Sequence, residues 1–178
     1  MGALARLCGF HTLEFLGVKM IYYTEHDSPL GTLLLAATEQ GLCGIYFEEH
    51  KHFKGKGEWQ HDPAHPFLQK TVLQLDEYFK GIRKVFDLQL DMHGTEFQCK
   101  VWHALSSIRF GEITTYMEHA NHLGNVKAVR AIGTAIGKNP ISIVVPCHRV
   151  IGTSGALTGY AGGLKRKQFL LTHEAQFR

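Results

Sequence analysis

Thr115-Tyr116-Met117-Glu118-His119-Ala120-Asn121-His122-Leu123-Gly124-Asn125-Val126-Lys127-Ala128-Val129-Arg130-Ala131-Ile132-Gly133-Thr134-Ala135-Ile136-Gly137 is the stretch on which the fold of this chain turns. Thr115 and Glu118 stand three apart, the spacing of a capping box, so a short helix opens there and stops at Gly124-Asn125. A second helix is predicted from about Val126 to Ile136, with Gly137 just past its end. Two short helices split by a glycine-containing turn make a helix-turn-helix. Lys127 and Arg130 share the second helix with Ala128, Ala131, Gly133 and Ala135, small residues that let a backbone approach a groove closely. Two core helices with small residues for tight packing fit the same pattern equally well.

Downstream, the apolar run Ile141-Ser142-Ile143-Val144-Val145 reads as a buried strand ending in Pro146-Cys147-His148-Arg149. A buried, inert cysteine is the commoner fate of a lone thiol. What distinguishes Cys147 is its company: an imidazole and a guanidinium beside it, a basic helical stretch before it, and a helix ending in His173-Glu174 after it. The thiolate is the nucleophilic form, and cationic or hydrogen-bonding neighbours are what populate it.

Upstream, Thr95 and Gln98 form another capping box, and Phe97, Val101, Ala104 and Ile108 are the expected apolar face, broken at Arg109-Phe110-Gly111-Glu112. The first half reads differently. Three short strands are expected at Ile21–Thr24, Thr32–Ala37 and Leu42–Phe47, the first broken by His26-Asp27-Ser28-Pro29, and short connections favour antiparallel neighbours. Residues 49–65 read as a loop. A helix starts near Pro66 with the stripe Leu68, Val72, Leu75 and Phe79 and ends at Gly81. Alternation of Phe86, Leu88 and Leu90 with Asp87 and Gln89 predicts a half-buried strand.

Charge divides the chain near Gly94. Residues 1–93 carry nine Lys/Arg against twelve Asp/Glu, whereas residues 94–178 carry ten against four. An anionic partner for the second half, nucleic acid first, competes with a generically basic surface. Cys8, Cys43, Cys99 and Cys147 are scattered, with no C-x-x-C pair, which suits a reduced, intracellular protein. Cys8 and His11 would be half a metal site, with no second half at finger-like spacing. Residues 1–19 read as an extension, since His11 and Glu14 interrupt any signal peptide or membrane span.

Gly94-Thr95-Glu96-Phe97-Gln98, Gly111-Glu112-Ile113-Thr114-Thr115-Tyr116, Ala128-Val129-Arg130-Ala131 and the block from Asn139 to Gly152 around Pro146-Cys147-His148-Arg149 together resemble the O6-alkylguanine-DNA alkyltransferases. So do Leu157 to Leu164 and His173-Glu174, in the family's order. The Ser28-Pro29-Leu30-Gly31 region resembles the family's less distinctive N-terminal domain.

The resemblance implies an α+β protein. An N-terminal α/β domain of ribonuclease-H-like fold, an antiparallel sheet plus helix, would span 20–92. A helical C-terminal domain with a winged helix-turn-helix would span 93–178. It implies DNA repair by direct reversal: one irreversible transfer of an alkyl group from guanine O6, and also from thymine O4, to Cys147, without metal or organic cofactor. His148 would act through a bridging water, because adjacent side chains on an extended chain point apart, and Glu174 would orient the imidazole.

By the same match Arg130 is the finger that fills the stack after base flipping, on a recognition helix carrying Lys127, Ala128 and Ala131 in the minor groove. Tyr116 would bond guanine N3, and Asn139 would be the hinge before the active-site strand. The carbonyls of Cys147 and Val150 would read the exocyclic amine, Tyr160 would wall the pocket, and the Ala161 N–H would face O6. Alanine there lacks the hydroxyl of members with serine, and Val126 replaces a common proline. Lys165-Arg166-Lys167 reads as a solvated face, with a second phosphate contact as the alternative.

The expected partner is double-stranded DNA, with no membrane, acting on a monomer in the cytoplasm or nucleoid, or the nucleus of a eukaryote. Rival readings are a lesion binder that does no chemistry, which would lack Cys147, a helix-turn-helix transcriptional regulator, and a cysteine hydrolase.

Overall fold

A computed structural model describes residues 20–178, so Cys8, His11 and the rest of the expected extension lie outside the described residues. Three strands rich in β-branched and aromatic side chains open the fold: β1 (Tyr22–Ser28), β2 (Gly31–Thr38) and β3 (Gly41–Phe47). They pair antiparallel, with Tyr22 opposite Ala37 and Ser28 opposite Gly31. β1 therefore runs through His26-Asp27-Ser28 rather than breaking there. Cross-strand pairing overrides the turn propensity of those residues, and the turn falls at Pro29-Leu30, where Gly31 takes a positive φ of 92°. The expected loop contains one further short strand, β4 (Gln60–His61), parallel to β1, which makes the sheet order β3-β2-β1-β4.

Helix α1 (Pro66–Phe79) starts on its proline and stops before Gly81, whose φ is 74°. Its buried positions are Leu68, Thr71, Gln74, Leu75 and Tyr78, while Val72 and Phe79 only flank the core. The apolar face is thus rotated from the expected stripe, and Tyr78 lies at its centre.

Residues 86–90 do not form the expected strand. The half-buried alternation is present, but the ladder is replaced by a side chain, because Gln74 bonds both the N–H and the carbonyl of Asp87 at 2.8 and 2.9 Å. The segment meets the sheet at a single bridge between Leu90 and Leu42, where the Leu42 N–H donates to Gln89 and the Asp91 N–H to Leu42.

The second half is helical. Helix α2 (Glu96–Leu105) has both arms of its Thr95/Gln98 capping box. It buries Cys99, Val101, Trp102 and Leu105, leaving Phe97 exposed, so this face too is turned from the expected one. β5 (Thr114–Thr115) leads into α3 (Tyr116–His122) through the second capping box. A single 3₁₀ turn at Val126–Ala128 precedes α4 (Val129–Gly137), so the second helix of the motif begins tight rather than α-helical. Without a proline or side-chain cap at its start, the first turn tightens to satisfy its own backbone.

β6 (Val150–Ile151) pairs with β5, and α5 (Leu164–Gln176) closes the chain. Among the described residues no helix is long and apolar enough to cross a membrane, and no His/Cys/Asp/Glu group is placed to hold a metal ion.

Trp102 fastens α2 to α4, with its indole N–H donating to the Ala135 carbonyl at 2.8 Å from a buried position. A Cβ on Gly94 would come within 2.6 Å of that indole, so glycine is required there. Trp102→Ala should cost about 3–5 kcal/mol of stability, read from urea unfolding of both proteins.

Candidate active site

Ile141–Val145 is not a strand. It is a turn in which Ile143 adopts a positive φ of 72°, a costly conformation for a β-branched residue, and the Val145 N–H donates back to the Ile141 carbonyl. Two things impose it. Asn139, directly after α4, accepts from the Ile141 N–H at 3.0 Å and donates to the Val145 carbonyl at 2.8 Å, closing the turn around its amide. The outer edge of β3 takes up the rest: the Ile45 N–H donates to Pro140 and the Ser142 N–H to Ile45.

The turn delivers Cys147 into a single 3₁₀ turn, Cys147–Arg149. Successive side chains diverge there by about 120°, so Cys147 and His148 separate for a helical reason and not the extended one expected from sequence. Cys147 is 5% exposed, and its Sγ lies 3.1 Å from Asn139 Nδ2. Burial pushes the thiol pKa up. The Asn139 amide, the Lys167 charge and the N–H groups of Cys147 and His148 pull the other way without overcoming it. The resting side chain is therefore a thiol that needs a base.

His148 is fully buried and meets Glu174 through Nε2 at 2.8 Å. Glu174 also accepts from Tyr78 (2.8 Å), the Gly111 N–H (3.0 Å) and both Nε and Nη2 of Arg149 (2.8 and 2.9 Å). Burial alone would raise its pKa, but His148 and Arg149 outweigh burial and hold the carboxyl well below the usual carboxylate range. A carboxylate only accepts, so His148 carries its proton on Nε2 and keeps a lone pair on Nδ1. Burial lowers the His148 pKa against the opposing pull of Glu174, so the imidazole is neutral. Nδ1 has no protein partner among the described residues.

The expected site residues divide into two groups. Cys147, His148, Glu174, Asn139, Val150 and Tyr160 gather around the buried thiol, with Ala161 half-buried on the following loop. Tyr116 is half-buried, and its hydroxyl donates to the Thr158 carbonyl at 3.0 Å. Lys127, Arg130 and Ala131 are exposed on α4 and the turn before it, whereas Ala128 packs partly against the core.

The solvated face expected of Lys165-Arg166-Lys167 is not present. Helical rotation gives the three residues different surroundings: Lys165 is exposed, and Arg166 donates to the Leu30 and Gly162 carbonyls. Lys167 is buried, with its ammonium donating to the Val150 and Thr158 carbonyls at 2.6 and 2.8 Å. Burial brings its pKa down to about 8, and the Cys147 sulfur opposes that. Val150, expected to read the guanine amine, thus already holds Lys167 with one lone pair. Tyr78 and Lys167 are the members sequence reasoning missed. Arg149 reads in the sequence as a guanidinium beside the thiol, but its Nε and Nη2 donate to Glu174.

A buried thiol, a neutral imidazole clamped by a carboxylate, and a basic helix-turn-helix ahead of them are the parts of a nucleic-acid-directed protein with a reactive cysteine. Residues 21–92 match the model of the 6-O-methylguanine DNA methyltransferase ribonuclease-like domain, and residues 96–176 that of the DNA-binding domain of the same protein. The chain belongs to the 6-O-methylguanine DNA methyltransferase family.

It is 47% identical over 155 residues to a methylated-DNA–protein-cysteine methyltransferase of Methanosarcina acetivorans, covering 86% of this chain and 98% of that one. The corresponding figures for the Mycobacterium tuberculosis protein of the same name are 46%, 87% and 93%. The crystal structure of Mycobacterium tuberculosis OGT in complex with DNA superposes with a TM-score of 0.82 at 44% identity, covering 88% of this chain and 94% of that one. The protein is a DNA-repair methyltransferase that acts by direct reversal.

Glu174→Gln would leave the Arg149 charge buried against a neutral amide and should cost about 3–5 kcal/mol at pH 7. The folded pKa of Glu174 is depressed, so its contribution is complete above the unfolded value of about 4.3 and is lost as pH falls toward the folded one. Guanidinium unfolding of parent and variant across pH should show the gap shrinking on acidification.

Proposed function

We propose that Cys147 is the acceptor for an alkyl group carried on guanine O6 in duplex DNA, and on thymine O4 as a second substrate. The observation that carries this reading is the buried Cys147 beside a neutral His148 whose Nε2 is fixed by Glu174. In the transfer, Cys147 Sγ forms a bond to the alkyl carbon, the carbon–O6 bond breaks, and its electron pair stays on the base. The thiol proton passes through a water to His148 Nδ1 and ends on the guanine, which leaves neutral. Lys167 and the Asn139 amide stabilise the developing thiolate. A thioether is a poor leaving group, so each molecule acts once.

The damaged base lies inside the duplex and must be turned out to meet a thiol this deeply buried. The exposed Arg130 fills the vacated stack from the minor groove, with Lys127, Ala128 and Ala131 forming the rest of the helix surface against DNA. A minor-groove approach suits repair in any sequence, because that groove carries a degenerate code. Tyr116 meets guanine N3, the carbonyls of Cys147 and Val150 meet its exocyclic amine, Tyr160 walls the pocket, and the Ala161 N–H faces O6. The protein works as a monomer.

Incubation with excess O6-methylguanine oligonucleotide should add one methyl mass, on the peptide containing Cys147. Repeated turnover, or label on Cys99, would remove Cys147 from its role. Arg130→Ala should react almost normally with free O6-benzylguanine yet repair duplex DNA at least about tenfold more slowly, since only the duplex requires flipping. Equal losses on both substrates would end the reading of Arg130 as a finger.

A further inference from the structure

Three polar side chains from three separate segments lead away from the acceptor in the order Tyr160, Ser142, His50, and none of the steps above uses their polar ends. Tyr160 stands close enough to Cys147 that burial first and then the sulfur push its phenol pKa well up. Its hydroxyl lies near Ser142 without hydrogen-bond geometry and is buried without a partner among the described residues. Ser142, in the turn before Cys147, faces His50 with 3.5 Å between Oγ and Nε2.

His50 comes from the N-terminal half, on the loop after β3. It is 7% exposed and held edge-on by the Tyr46 ring, and its Nδ1 has no partner among the described residues. Burial, aided by the charge of His52, brings its pKa down to about 4, so it is a neutral donor and acceptor at working pH. The neighbouring Lys51 N–H donates to the Ala161 carbonyl at 3.0 Å, which ties this loop to the segment carrying Tyr160. Buried donors and acceptors left unpaired cost about 1–3 kcal/mol each, so a cluster that leaves both the Tyr160 hydroxyl and His50 Nδ1 unpaired has hydrogen bonds to offer a polar guest.

Resting on the transfer reading above, we propose that Tyr160, Ser142 and His50 form a polar far wall of the alkyl site. The wall would favour O6 adducts whose chain ends in a hydrogen-bonding oxygen, such as 2-hydroxyethyl, over hydrocarbon adducts of the same length. The chemistry is unchanged: sulfur bonds the carbon attached to O6, that C–O6 bond breaks, and the thiol proton ends on guanine. The wall contributes only hydrogen bonds to the chain's far end, and His50 acts as a specificity residue supplied by the N-terminal half.

Single-turnover rates on duplexes carrying O6-methyl-, O6-(2-hydroxyethyl)- or O6-propylguanine test this. Hydroxyethyl and propyl match in heavy-atom count and shape, so their rate ratio isolates the terminal oxygen. His50→Leu and Ser142→Ala should each lower the hydroxyethyl-to-propyl ratio by about fivefold, the worth of one neutral hydrogen bond, with methyl transfer kept within about twofold. His50→Gln, which keeps a donor and an acceptor, should hold the parent ratio.

An unchanged ratio in His50→Leu and Ser142→Ala alongside intact methyl transfer would overturn the polar wall alone. A parent that moves no methyl group would overturn the transfer reading and this one with it. If thermal melting shows His50→Leu unfolded, the ratio in Ser142→Ala decides.

Discussion

A single buried carboxylate collects donors from three other parts of the chain. Glu174, on the last helix, receives Tyr78 from the N-terminal helix, Gly111 from the turn before β5, and Arg149 and His148 from the active-site turn. A lone ionised carboxylate in such a place would be prohibitively costly, and it is tolerated because every lone pair has a partner. The same partners that make Glu174 tolerable fix the tautomer of His148, so the position of the imidazole proton follows from satisfying the acid. Tyr78 has no chemistry of its own here. It places the N-terminal half in the hydrogen-bond network that surrounds the buried thiol of the other half.

The sheet edge makes the second connection between the halves. β3 would be left with open N–H and carbonyl groups, and the chain covers them with two returning segments, Gln89–Asp91 and Pro140–Ser142. The second of these is the active-site turn. Its irregular backbone, including the positive φ of Ile143, is affordable because both the Asn139 side chain and β3 hold it. Placement of the thiol therefore depends on a strand about one hundred residues earlier in the chain.

Local signals were legible in the sequence wherever short-range chemistry decides. Both capping boxes, the three antiparallel strands, Pro66 at its helix start and the Cys147-His148 pair could all be read directly, while the link from His148 to Glu174 came through the family resemblance. What failed was non-local. A run of Ile and Val reads as a strand until Asn139 takes its hydrogen bonds, and the alternation at 86–90 reads as a strand until the Gln74 amide replaces the ladder. The faces of α1 and α2 were each misjudged because apolar stripes ignore Tyr78 and Trp102, whose polar tips find partners far away in sequence. Lys167 was illegible for the same reason, since nothing local says that the third member of a basic run will end on two buried carbonyls.

Covering the β3 edge has a further consequence, for the life of the chain before it is folded. An open strand edge is a template on which other chains add, and here the second part of the cover arrives only after some ninety more residues have been made. During synthesis the N-terminal sheet must pass through an interval with its edge bare, and in that interval it is most exposed to strand-by-strand association. The closing segment is also the one that seats the thiol, so a molecule that has escaped aggregation has, by the same contact, assembled its reactive turn.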